Sequence, residues 1–71
     1  MDTVKKIFRV DRREIAYLRF IFEAYDGLAM MTTIDPQLGI VAFHIPPGCE
    51  ADVEWILEDL GENMMIEPLI G

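Results

Sequence analysis

Seventy-one residues carrying 13 acids, six bases and a net charge of −7 allow one domain, which at this length buries roughly 60% of its unfolded surface. The single cysteine excludes an internal disulfide, and one cysteine with one histidine do not make an intrachain zinc site. The acidic balance argues against nucleic acid and anionic membrane as partners, and no apolar run reaches the ~18 residues of a bilayer span.

The apolar pattern alternates at period two around Val4, Lys6, Phe8 and Val10, which reads as a first strand. Val4, Phe8 and Val10 point inward, and Lys5, Ile7 and Arg9 point outward. Arg9, Asp11, Arg12 and Arg13 interrupt any apolar stretch after the lysines, so no signal peptide is expected. A free cysteine without an export signal suits a reducing cytoplasm.

Asp11 reads as an N-cap, with Glu14 at capping-box spacing. From Arg12 to Tyr25 the period becomes helical, with Ile15, Leu18, Ile21, Phe22 and Tyr25 on one stripe. Asp26-Gly27 ends the helix, glycine being the natural left-handed residue there. Leu28 to Asp35 is a second strand, supported by Thr32, Thr33 and Ile34.

Asp35-Pro36-Gln37-Leu38-Gly39 is a turn. A third strand opens at Leu38 or Gly39 and runs to Ile45. Its inward set is Val41, Phe43 and Ile45, and its outward set is Ile40, Ala42 and His44. Pro46-Pro47-Gly48 stops it, and a second helix follows over about Glu50 to Leu60. Its apolar face is Cys49, Val53, Ile56, Leu57 and Leu60, and Gly61 ends it. Met64-Met65-Ile66 starts a short last strand ending near Pro68.

The order is βαββαβ. Two strand–helix–strand units with right-handed crossovers give an α+β, ferredoxin-like split βαβ fold: a four-stranded antiparallel sheet with both helices on one face. Phe22, Val41, Phe43 and Leu57 stand at the centres of their apolar periodicities and are expected at the core.

The run Phe22-Glu23-Ala24-Tyr25-Asp26-Gly27-Leu28-Ala29, with Thr32-Thr33-Ile34-Asp35 and Ile56-Leu57-Glu58-Asp59-Leu60, resembles a family of small bacterial proteins catalogued only as a domain of unknown function. The whole chain is similar to an ACT-like domain. That resemblance implies a regulatory module, often one that binds amino acids at a dimer interface through a glycine-containing loop after the first strand. Here the loop is Val10-Asp11-Arg12-Arg13, without glycine, which restricts close backbone approach.

The chemistry-bearing residues each have a plainer reading. His44 and Cys49 flank the Pro-Pro-Gly turn and could form a nucleophile pair. However, Cys49 lies on an apolar helix face beside Glu50 and Asp52, so a buried, inert thiol is expected. Glu50, Asp52, Glu54, Glu58, Asp59 and Glu62 cluster on and after the second helix, but no histidine is placed to complete a metal site. A solvated face is expected. The RNA-recognition fold shares this element order, but it stacks bases on outward aromatics. Phe8 and Phe43 fall on the inward face instead. The Gly48 turn lacks the glycine spacing and lysine of a phosphate loop.

Neither a cofactor nor a metal nor a catalytic residue is expected. The reading is a non-catalytic, homodimeric interaction or regulatory module, with another protein partner also compatible. The alternative is an ACT-like amino-acid sensor; a small enzyme using Cys49 ranks third. Two candidate interfaces stand out. The open sheet face would carry Ile7, Ala29, Met31, Ile40, Ala42 and Met65. The helix surface carries Phe20 and Trp55, each beside alanines and opposite its helix's apolar stripe. Continuity across strands favours the sheet face for the dimer. Charge is also segregated. All six bases lie in the first 19 residues with three acids, net +3, and the remaining ten acids leave −10 beyond them.

Overall fold

A computed structural model describes residues 3–25 and 28–70. The elements are β1 (Val4–Val10), a 3-10 turn (Arg12–Glu14), α1 (Ile15–Ala24), β2 (Met30–Asp35), β3 (Ile40–Ile45), α2 (Glu50–Leu60) and β4 (Ile66–Ile70). The four strands pair antiparallel in the order β2-β3-β1-β4. This is the βαββαβ ferredoxin-like arrangement that the apolar periods predict.

One face of the sheet carries the core. Phe8 and Val10 of β1 and Val41, Phe43 and Ile45 of β3 are buried against Leu18 and Phe22 of α1 and Val53, Ile56 and Leu57 of α2. Both helices therefore cover the same sheet face. Phe43 stands at the centre, with its ring 5.7 Å from Phe8 edge-on and 4.8 Å from Phe22.

Local chemistry sets the element ends. Asp11 caps the helical segment: its Oδ1 accepts the Arg13 backbone N–H at 2.9 Å. The reciprocal arm of the expected capping box is missing. Glu14 donates its backbone N–H to the Asp11 carbonyl, and the first turn closes as 3-10 before α1 begins at Ile15. In the β2–β3 turn, Asp35 Oδ1 accepts from the backbone N–H groups of Gln37 and Leu38 at 2.9 and 3.1 Å. Gly39 supplies the positive φ, +75°. The helix stop expected at Asp26-Gly27 lies outside the described residues.

Several expectations need correction. The third strand opens at Ile40, and Leu38 and Gly39 belong to the turn before it. The second strand begins at Met30 rather than Leu28. Met31 and Ala29, expected on the open face, lie on the core side. Met31 pairs with Phe43 and is buried in the same cluster, while Ala29 packs against it. Because side chains alternate along a strand, this register turns Met30, not Met31, to the open face. The last strand runs Ile66–Ile70 and passes through Pro68. β4 is an edge strand paired only to β1, so a residue without an N–H is tolerated where that group would face outward. Met65 thus precedes the strand instead of forming part of it.

Candidate interaction surfaces

On the open sheet face, Ile7 of β1 sits opposite Ala42 of β3, and Ala42 sits opposite Thr32 of β2. Those neighbours close over the small side chain, and Ala42 is fully covered. Ile7 and Ile40 are half-buried. Charged side chains share the face: Lys5 and Arg9 are exposed on β1, and Arg9 pairs in register with Glu67. His44 lies there too, 3.1 Å from the Thr32 hydroxyl as a diagonal cross-strand neighbour. With Met31 and Ala29 on the core side, Met30 takes their place on this face, 67% exposed at the sheet edge.

The helix layer presents the opposite picture. Phe20 on α1 and Trp55 on α2 are 68% and 66% exposed, yet they line one groove of about 340 Å³ between the helices. Ile21, Ile56 and Leu60 also line it, and Tyr25 joins it while 49% exposed. The stripe reading placed Tyr25 in the core. The helix ends at Ala24, and Tyr25 has left helical geometry at φ −93° and ψ 82°, which takes its ring off the buried row. Sequence reasoning missed it for that reason. No glycine or proline ahead of the Asp-Gly pair signals that early end in the sequence.

A second groove, about 530 Å³, runs between α2 and the β1–β4 side of the sheet. Phe8, Leu57, Ile66 and Pro68 give it an apolar lining. At its rim Lys6 Nζ donates to Glu54 Oε1 at 2.7 Å. A shallower depression of about 270 Å³ lies beside the loop after β1, lined by Arg9, Asp11, Arg12, Gln37, Leu38 and Met65, among others. In that loop the Arg13 side chain, and then its backbone N–H, hydrogen-bond the Asp11 carboxylate and hold its pKa below the ordinary range. The same pairing raises the Arg13 pKa. Because the folded value is lowered, this cap stabilises fully above the unfolded carboxylate pKa and is lost as pH falls through the folded one.

The structure does not bring His44 and Cys49 together. Phe43 and Ile45 face the core, so His44 faces the open side, whereas Cys49 packs against the core at the start of α2. Cys49 is half-buried rather than fully buried. It adjoins Glu50, whose Oε1 accepts the Gly48 backbone N–H at 2.7 Å. A thiol held against apolar neighbours reacts slowly. The folded protein is therefore expected to take up a thiol reagent far more slowly than the denatured chain. Immediate stoichiometric modification without denaturant would reinstate the reactive-thiol reading.

Among the described residues no group of three or more His, Cys, Asp or Glu side chains is arranged to hold a metal ion. None of the described helices is long and apolar enough to cross a membrane. No curated protein and no solved structure matches the chain. Residues 8–64, from Phe8 of β1 to just beyond α2, match the family described as "Domain of unknown function (DUF4911)", and the chain belongs to that family.

Proposed function

We propose that this chain is a non-catalytic interaction module that works as a homodimer in a reducing, cytoplasmic setting. The observation carrying the reading is the exposure of Phe20 and Trp55, at 68% and 66%, on the rim of one apolar groove. Aromatic side chains are enriched at protein–protein interfaces, where they bury large area at low entropic cost. A short chain with a single cysteine also gains stability from burial between copies that it cannot obtain from crosslinks. Light scattering on the wild-type protein at tens of micromolar should return twice the 8.2 kDa chain mass. A monomer at that concentration removes the reading.

A second reading, an ACT-like sensor of amino acids, draws support from the depression beside the loop after β1. Arg9 and Arg12 line it, and guanidinium groups suit a carboxylate ligand. A ligand that binds only the folded state raises its melting temperature. A panel of amino acids in a thermal-shift assay therefore decides this reading, and a flat response across the panel ends it.

A further inference from the structure

We infer that the groove between α2 and the β1–β4 side of the sheet binds a small apolar amine, a compound with a hydrocarbon body and a cationic nitrogen. This site goes beyond the homodimer reading and does not depend on it. The groove exists because the two helices leave the last strand uncovered. In register, Ile66 and Pro68 of β4 stand opposite Val10 and Phe8 of β1, so they share the core side of the sheet. Among the described residues β4 adds no side chain to the fully buried core: Ile66 is half-buried and Pro68 is exposed. With Phe8 and Leu57 they floor an apolar space of about 530 Å³. That lies within the roughly 300–1,000 Å³ of small-molecule sites.

The charges on this groove select a cation. Its lining holds three carboxylates, Glu54, Glu58 and Glu62, and one base, Lys6. The carboxylates recur every four residues, so they run along one flank of α2 and its exit turn. Lys6 Nζ is already committed to Glu54 Oε1 at 2.7 Å, and its side chain is only 21% exposed. Among the described residues the other ion pair joins Arg13 to Asp11, so Glu58 and Glu62 are left without a cation. The lining therefore keeps two uncompensated carboxylates above an apolar floor. The negative end of the α2 dipole adds to them, since Gly61 lines the groove and the last helical turn holds no base. A carboxylate ligand is repelled here, and a free amino acid is disfavoured by its own carboxylate. That separates this groove from the arginine-lined depression beside the loop after β1. A second copy meeting it across a two-fold axis would bring the same acids with it. An ammonium group answers Glu58 and Glu62, while its hydrocarbon body covers the floor.

Calorimetric titration and amide chemical-shift mapping on the full chain test the site with three probes. Phenylbutylamine carries the body and the charge, phenylbutyrate the same body with the opposite charge, and putrescine the charge without the body. The expected result is millimolar or tighter binding of phenylbutylamine that shifts the amides of Phe8, Leu57, Gly61 and Ile66. Phenylbutyrate and putrescine do not bind at the same concentrations. Glu58→Gln with Glu62→Gln, both exposed positions, weakens the amine about tenfold, the scale of two exposed ion pairs. Lys6→Met keeps the aliphatic stem, removes the one base of the lining and tightens the amine. Asp59→Asn, on the other groove, leaves it unchanged. Circular dichroism melting establishes that each variant is folded. Equal binding of phenylbutylamine and phenylbutyrate overturns the cation selectivity and the inference with it. An amine that binds the double glutamine variant as tightly as wild type does the same. Shifts confined to Phe20, Trp55 and their neighbours move the amine to the other groove and overturn the site. Absence of amine binding at millimolar concentration ends the inference outright.

Discussion

Replacing Phe43 with alanine should cost about 3–5 kcal/mol, the range for deleting a buried aromatic ring. The ring is fully buried on a central strand, between Phe8 edge-on and Phe22 tilted. Its strand neighbours in register are Lys6 on β1 and Met31 on β2. Three elements thus lose their common contact at once. Domains are stable by roughly 0.05–0.15 kcal/mol per residue, so a chain of 71 residues holds roughly 4–11 kcal/mol and the substitution removes a large share of it. Urea denaturation followed by circular dichroism should find Phe43→Ala unfolding at a far lower denaturant concentration than wild type. A variant that melts within a few degrees of wild type would mean that Phe43 does not centre the core.

Gly39→Ala is expected to be the most damaging single-methyl change, about 3 kcal/mol or more. Two costs combine there. Gly39 has φ +75°, a conformation that side chains with a Cβ adopt only under strain. A Cβ at this position would also stand 2.0 Å from the Val10 carbonyl oxygen and 3.3 Å from the Arg12 amide nitrogen. Both are backbone atoms, so no rotamer change relieves the clash. The Val10 N–H also donates to the Gly39 carbonyl at 2.8 Å, so separating the strands breaks a ladder bond. Gly48 is the matched control. Its φ is +92°, but a Cβ there meets nothing within 4 Å. Gly48→Ala should therefore pay only the backbone strain, about 1–2 kcal/mol. Side-by-side chemical denaturation of the two variants separates the terms. Equal losses would show that the β1–β3 contact yields to a methyl group.

These two positions also mark what could be read from the chain. Phe43 was legible because β3 sets the large apolar Val41, Phe43 and Ile45 against the small Ala42 and the polar His44. α2 was legible to both its ends, Glu50–Leu60, because Pro-Pro-Gly precedes it, Gly61 follows it and one apolar stripe runs through it. Gly39 was legible as a turn residue, but its close approach to Val10 was not, because that contact belongs to the pairing of β3 with β1.

The candidate surfaces divide along the same line. The sequence by itself determined the element order, the hairpin, the core face of β1 and β3, and the segregation of bases into the first 19 residues. Each of these follows from local periodicity, from proline and glycine at turns, or from simple position. The tertiary structure decided the rest. Leu28 to Thr33 has no period-two contrast, so only the pairing of Met31 with Phe43 could choose which methionine enters the core. Pro68 reads locally as a stop, and only its place on an edge strand makes it part of β4. Phe20 and Trp55 each read as an isolated exposed ring. Only the packing of both helices on one sheet face brings them to a common groove, because contact between distant segments is a property of the folded layer and not of either helix.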